Sequence, residues 1–324
     1  MPELSLCVPV YRAERYIAAC ARSLFEQTLD DIEYIFVDDG SPDRSIARLL
    51  EVAEAYPRRL PQIRIITHPA NRGSAAARNT CLEAATGTFV GWCDSDDRVE
   101  PEMYRRLVER ARETGADLVW CNIAGDALSG REFFPDSAVS LPGEEYLKLF
   151  LLKRFLGVMT NKLIRRDLYL RHGIRFPEGY DMMEDTTVLV RALRYANRID
   201  NVPQRLYHYI RREGSITSRL DSRGILRNVS DVARFCTEQW AGDADIIRCV
   251  HWYEQRHKYH LVSRGGITPE AFRELWRDAS GMRETLANPT IPAYGRLVCL
   301  ALDHGFTLPL RIKQRLAKMR RRDG

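Results

Sequence analysis

Residues 88–97 read Thr88-Phe89-Val90-Gly91-Trp92-Cys93-Asp94-Ser95-Asp96-Asp97, an apolar run of strand length that stops abruptly in carboxylates. Taken alone it is a buried strand followed by an acidic turn. Upstream the same figure recurs. Residues 4–10 are apolar and close on Pro9, Val10 and Tyr11, residues 33–37 lead into Asp38-Asp39-Gly40-Ser41, and residues 63–67 precede Asn71-Arg72-Gly73. Between these runs the apolar spacing becomes helical: Ile17, Ala21 and Leu24 within 15–27, then Ile46, Leu49, Leu50 and Val52, then the alanine-rich 73–85 with Gly87 at its exit. Downstream, 101–113 has helical spacing and 118–122 is a fifth strand. Successive βα units predict an α/β domain whose mostly parallel sheet is flanked by helices on both faces.

In open sheets of this class, ligands sit beyond the carboxyl ends of the strands. The polar clusters fall at those ends, at 9–11, 38–41, 71–73 and 94–97, which implies one shared site. Past residue 123 the pattern loosens. A hairpin or loop is expected over 125–134, a helix over 144–155, a polar-to-apolar segment at 161–164, a helix from Glu184 and a short strand over 205–210. After Ser218 the spacing is helical almost to the end, with breaks at Gly265-Gly266, Pro289, Pro292 and Pro309. The expected division is a catalytic domain over 1–218 and a helical C-terminal region over 219–324.

The chain has 324 residues, 45% hydrophobic and 29% charged, with a formal net charge of +5. That is the balance of a globular protein, and the basic excess is too small to argue for nucleic acid. Eight cysteines show no paired ligand spacing and read as buried thiols of a reducing compartment. No basic-then-apolar leader opens the chain, and no run approaches the roughly 18 apolar residues of a spanning helix. A cytoplasmic location is expected, free or peripheral on the inner face of the plasma membrane.

Asp94 and Asp96, at i and i+2 after a strand, offer oxygen ligands on one side of a turn, which suits Mg²⁺ or Mn²⁺. An acidic surface turn has the same local sequence, but the place at the end of a fourth parallel strand favours the ligand reading. Asp39 can accept the N3–H of uracil or serve as an ordinary turn residue, with Gly40 permitting a tight exit. Gly73 allows a close backbone approach at a helix start, where amides favour anions. Arg78 can supply charge near phosphates or pair with an acidic neighbour. Glu184 and Asp185 open a helix whose dipole keeps carboxylates ionised, the form a general base needs. Acidic residues are equally common in any first helical turn.

In order and spacing, Leu4-Ser5-Leu6-Cys7-Val8-Pro9-Val10-Tyr11, Val37-Asp38-Asp39-Gly40-Ser41, Asn71-Arg72-Gly73 with Ala77-Arg78-Asn79, Asp94-Ser95-Asp96-Asp97 and Glu184-Asp185 resemble family 2 glycosyltransferases of the GT-A fold, bacterial polysaccharide type. The resemblance covers residues 1 to about 218. It implies an inverting single displacement that moves a sugar from a nucleotide-sugar, a UDP-hexose or UDP-N-acetylhexosamine, to an acceptor hydroxyl in cell-surface polysaccharide biosynthesis. Under it Asp39 pairs with uracil, Pro9, Val10 and Tyr11 frame the nucleoside with Glu14 close by, and Arg72, Gly73, Arg78 and Ser95 line the donor. Asp96 becomes the metal ligand, Asp94 a ribose or metal contact, and Asp185 the base with Glu184 beside it. The stretch 207–217, carrying Arg211, Arg212 and Ser215, resembles a lid over the diphosphate. A divalent cation, Mn²⁺ or Mg²⁺, is the implied cofactor. Arg12 stands where many members carry Asn, a departure that bears on donor preference.

Residues 294–322 combine apolar positions with Arg311, Lys313, Arg315, Lys318, Arg320, Arg321 and Arg322. Such a segment can lie on anionic lipid, which suits a glycan or lipid-linked glycan acceptor, or it can pack on its domain with a solvated basic tail. The run 251–260 reads as core aromatics with surface charges, and His208 as a satisfied histidine near the lid. Three rival classes fare worse. A nucleotidyltransferase wants a glycine-bearing phosphate loop after the first strand, and Tyr11-Arg12-Ala13-Glu14-Arg15 has none; the same lack argues against a dinucleotide-binding dehydrogenase. A non-catalytic nucleotide-sugar-binding relative should have lost a carboxylate from Asp94/Asp96 or Glu184/Asp185, and both pairs are intact.

Overall fold

A computed structural model of the chain describes residues 1–124, 135–180, 183–210, 221–279 and 281–320. The hairpin expected at 125–134 and most of the lid expected at 207–217 lie outside the described residues. The chain divides into two compact units, Met1–Tyr146 with Leu156–Ser215, and Leu147–Phe155 with Ile216–Gly324.

In the first unit the strands are β1 (Leu4–Val10), β2 (Ile32–Asp38), β3 (Ile63–Thr67), β4 (Phe89–Trp92), β5 (Arg98–Val99), β6 (Leu118–Ala124), β7 (Ser140–Leu141), β8 (Lys162–Arg165) and β9 (Ile199–His208). They form one sheet in the order β3-β2-β1-β4-β8-β6-β9-β5, with β7 on β9. The helices between them are α1 (Ile17–Phe25), α2 (Ser45–Ala53), α3 (Ser74–Ala84), α4 (Met103–Thr114), α5 (Gly143–Leu151, of which only residues 143–146 belong to this unit), α6 (Arg166–Arg171) and α7 (Glu184–Tyr195). The first four strands run parallel from β3 to β4, as the βα pattern predicts. Beyond them the sheet becomes mixed, because β8 enters antiparallel between β4 and β6.

The elements follow from their residues. β1 buries Leu4, Leu6, Val8 and Val10 against Ile17, Ala21 and Leu24 of α1, within one continuous core. α4 ends where Gly115 takes the left-handed conformation, φ 68°. α5 stops at Leu151 rather than near 155, and Lys153 is left-handed at φ 58°. β9 begins six residues earlier than the expected 205, since Asp200 and Asn201 are buried in it. The Asp200 carboxylate accepts the Arg110 guanidinium at 2.7 Å, which offsets the penalty of burying it.

The second unit contains α8 (Ser222–Gln239), α9 (Ala244–Arg264), α10 (Pro269–Glu274), α11 (Met282–Ala287), α12 (Ala293–Asp303) and α13 (Leu308–Arg320). Asp243 caps α9 by accepting the Asp245 and Ile246 amides, and Gly265 ends it at φ 77°. Pro309, expected as a break, stands instead in the first turn of α13, where a missing N–H is no loss. All eight cysteines are free and buried. Among the described residues no helix is long and apolar enough to cross a membrane.

Candidate active site

The clusters at the carboxyl ends of the parallel strands meet, and backbone geometry shows how. Gly40 sits at φ 64°, and a β-carbon there would lie 2.7 Å from the Ala70 carbonyl carbon and 2.8 Å from the Asn71 nitrogen. The two strand-end turns therefore touch backbone to backbone. Asp39 closes that contact, taking the Arg72 amide on Oδ1 at 2.9 Å and the Gly73 amide on Oδ2 at 2.8 Å. Its Oδ1 also lies 2.7 Å from Nδ1 of buried His68, whose Nε2 is 2.9 Å from the Thr80 hydroxyl. Three of the carboxylate's acceptor positions are thus used, and one on Oδ2 remains.

Pro9 and Val10 lie in register with Val37 and Asp38. Tyr11 is exposed beyond them, with the Arg12 guanidinium 5.3 Å from its ring centre. Arg12 is left-handed at φ 50° and donates its amide to the Ser41 hydroxyl at 2.8 Å. Glu14 donates its amide to Asp43 at 3.1 Å.

The acidic turn after β4 holds Asp94, Asp96 and Asp97, whose oxygens come within 4.8 Å of one another. An all-oxygen set of this kind fits a hard divalent cation. Asp97 accepts the Tyr207 hydroxyl at 2.5 Å and the Ile210 amide at 2.8 Å. Burial first, and Asp94 second, push its carboxyl up to about 8. Asp94 accepts Arg78 Nη2 at 2.9 Å. Desolvation pushes Asp94 up to about 6, with Arg78 opposing and Asp96 adding. Ser95 is buried in the same turn.

Arg78, one turn into α3, is the centre of the site. Its guanidinium carbon lies 5.4 Å from the Trp92 ring centre and 5.5 Å from that of Phe176, and its Nε is 3.8 Å from Asp185 Oδ1. Burial works against its charge, and Asp185, Asp94 and Glu184 together outweigh it and raise its pKa. Its Nε and Nη1 make no hydrogen bond among the described residues.

The helix α7 brings the second carboxylate pair. Its cap, Met183, is left-handed at φ 64°, a strained conformation that turns the chain just before Glu184 and Asp185. Glu184 accepts the Ser74 hydroxyl at 2.7 Å, joining the starts of α3 and α7, and burial first and Asp185 second raise its pKa. Asp185 Oδ2 accepts the Met159 amide at 3.0 Å, while its buried Oδ1 has no hydrogen-bond donor among the described residues.

Asp39, Arg72, Gly73, Arg78, Asp94, Asp96, Glu184 and Asp185 are thus linked through strand-end turns and one buried arginine. Arg211, Arg212 and Ser215 lie outside the described residues. His208 is not buried but pairs with Glu100 at 2.6 Å. Sequence reasoning passed over His68 and Lys162. His68 could have been found, since it is the first residue past β3 at the edge where the other clusters lie. Lys162 could not, because a lysine at a strand start reads as solvated.

Residues 5–173 match the family described as Glycosyl transferase family 2. The chain belongs to that family. Among curated members, the uncharacterized glycosyltransferase EpsJ of Bacillus subtilis (strain 168) is 37% identical over 223 residues, 67% of this chain and 63% of EpsJ. The match thus spans less than two thirds of that relative's length. Among solved structures, residues 1–349 of S. aureus TarS in complex with UDP-GlcNAc superpose with a TM-score of 0.73 at 21% identity, over 98% of this chain and 92% of the other. The mannosyltransferase PcManGT from Pyrobaculum calidifontis, in complex with GDP-Man and Mn²⁺, gives a TM-score of 0.56 at 17% identity, over 98% and 88%. These likenesses show the fold, and the strand-end site of this family 2 chain lies on it.

Proposed function

We propose that this family 2 chain is an inverting hexosyltransferase that moves a sugar from a UDP-linked donor to an acceptor hydroxyl, in cell-surface polysaccharide biosynthesis. The observation that carries the reading is the convergence of Asp94 and Asp185 on Arg78, which brings a donor-side and an acceptor-side carboxylate to one buried guanidinium. TarS with UDP-GlcNAc supports a UDP-sugar donor.

In the proposed displacement, Asp185 takes the acceptor's hydroxyl proton as the hydroxyl oxygen bonds to the anomeric carbon. The bond from this carbon to the diphosphate breaks, and UDP leaves with the electron pair. Arg78 stays charged beside both carboxylates and orients them. Asp39 offers its remaining acceptor position to uracil N3–H, with Pro9, Val10, Tyr11 and Glu14 beside the nucleoside. Arg72, Gly73 and Ser95 line the donor. Asp96 with Asp94 would hold Mn²⁺ or Mg²⁺, which when bound supplies positive charge to the leaving diphosphate.

The test is a thermal-shift screen of UDP, GDP, ADP, CMP and dTDP, each with Mn²⁺ and with EDTA. A ligand at about a hundred times its dissociation constant stabilises by about 2.7 kcal/mol. UDP should stabilise only with metal, and Asp96→Asn should lose that shift. Asp185→Asn should keep the shift and lose transfer. Stabilisation by none of the five would sink the donor assignment, and full transfer by Asp185→Asn would sink the base.

Peripheral contact with the cytoplasmic face of the membrane belongs to the same proposal. Within the second unit, Tyr294, Leu297, Phe306, Leu308 and Ile312 are exposed, the last three leading into or lying on α13 beside exposed Arg311 and Arg315. Tyr294 donates its hydroxyl to Pro309 O at 2.9 Å and Arg296 donates to Leu286 O at 2.6 Å, which ties α12 to α13 and to α11. Exposed apolar side chains with basic neighbours in sequence fit anionic lipid. Co-sedimentation with phosphatidylglycerol vesicles but not phosphatidylcholine vesicles is expected; equal recovery with both would refute it.

A further inference from the structure

Lys162 is wholly buried, where an apolar residue of similar length would need no partners. Its Nζ donates to three oxygens: Leu156 O at 3.0 Å, Val158 O at 2.6 Å and Asn161 Oδ1 at 2.8 Å. Three acceptors match the three protons of an ammonium. Two of them are carbonyls of the segment leading to Met159, and the Lys162 amide also donates to Met159 O at 3.0 Å. Asn161 fixes the other end, donating its side chain to Cys121 O at 2.6 Å and accepting the Cys121 amide at 3.0 Å. The segment 156–159 is therefore fastened to β6 through Asn161 and wrapped around the lysine head.

What this segment presents is the Met159 amide, and that amide donates to Asp185 Oδ2 at 3.0 Å. With Oδ2 engaged, the carboxylate is held in one place, its Oδ1 3.8 Å from Arg78 Nε. We propose that Lys162 is a positioning residue for Asp185: it holds the 156–159 segment so that the Met159 amide fixes Oδ2 and with it the whole carboxylate. The proposal rests on Asp185 being the base. It adds what holds that base in place.

The experiment compares wild type, Lys162→Met, Lys162→Arg and Asp185→Asn, each as the full chain. One reading needs no substrate: hydrogen exchange at the Met159 amide should speed up at least about tenfold in Lys162→Met while the β6 amides keep their protection. The other is UDP release from UDP-N-acetylglucosamine with Mn²⁺, water serving as acceptor. A misplaced catalytic group costs on the order of 100-fold, so kcat should fall by about that factor with the donor KM unchanged. Lys162→Arg, which keeps a cation and several donors, should recover part of the loss. Adding Lys162→Met to Asp185→Asn should slow it no further.

Unchanged exchange at Met159, unchanged kcat, or a rise in KM alone would overturn the proposal. So would equal losses in the Met and Arg variants, or an additive double variant, since a merely structural role moves everything together. If Lys162→Met melts below the assay temperature, Lys162→Gln, which keeps donors without charge, is held to the same readings. Full activity in Asp185→Asn would sink the base and this proposal with it; an inactive Asp185→Asn beside a fully active Lys162→Met would sink this proposal alone.

Discussion

Arg78 donates to Asp94 from a position only 6% exposed, so the carboxylate that ends the fourth strand has its counter-charge buried in the third helix. The same guanidinium reaches toward Asp185 at 3.8 Å. One residue thus sets the charge on both halves of the site.

Arg78→Met should leave Asp94, Glu184 and Asp185 without their shared cation. Removing one member of a buried pair costs about 3–5 kcal/mol, and partial exposure of Asp94 places this case near the lower end. Denaturant unfolding reads it. Arg78→Lys should restore less than half, since a point charge cannot serve Asp94 and Asp185 at once. Full recovery by lysine would contradict this geometry.

Gly40 and Gly73 separate conformational strain from collision. Both have positive φ, Gly40 at 64° and Gly73 at 91° with ψ 163°, but of the two only Gly40 would bring a β-carbon against neighbouring backbone. Gly73→Ala should cost about 1–3 kcal/mol from backbone strain alone. Gly40→Ala should cost clearly more and, by parting the turns that Asp39 ties, weaken UDP binding. Equal costs from unfolding curves would argue against the close approach.

Glu254 in the second unit is pushed up to about 7 by burial first and Asp278 second, against Lys258. A folded pKa above the unfolded one gives stability that is complete below about pH 4.5 and is lost as pH rises through about 7. Glu254→Gln should therefore stabilise the chain at pH 8 and not at pH 4, by on the order of 3 kcal/mol at most. Melting curves at the two values check it; a gain at both would mean that Glu254 does not titrate in this window.

Arg12 is left-handed at φ 50°, a conformation that Asn enters more easily than Arg. Arg12→Asn should relieve about 1 kcal/mol of strain and forfeit about 0.5 kcal/mol of contact with Tyr11, a small net gain. A loss of stability would assign the arginine a stronger contact than the Tyr11 ring provides.

The strand-end clusters were legible because apolar runs ending in Asp38-Asp39 and Asp94-Ser95-Asp96-Asp97 break period and polarity at the same residue. What holds them together was not. The role of Asp39 in tying down Arg72 and Gly73 depends on contacts 33 and 34 residues away in sequence. The insertion of β8 beside β4 was hidden for a similar reason. Its Lys162-Leu163-Ile164-Arg165 looks half polar until three oxygens are found around the lysine. Likewise nothing in the pattern of 147–155 marks that stretch as belonging with the second unit, because its apolar residues would suit a core in either.

The burial of all eight thiols gives the chain its own record of where it opens. Burial pushes Cys121 and Cys299 up to about 12, so these two hold little reactive thiolate while their units stay closed. Cys7, Cys20, Cys81, Cys93 and Cys121 lie in the first unit, and Cys236, Cys249 and Cys299 in the second. A pulse of alkylating reagent along a denaturant series, read peptide by peptide in the mass spectrometer, would report without any added label which unit loosens first.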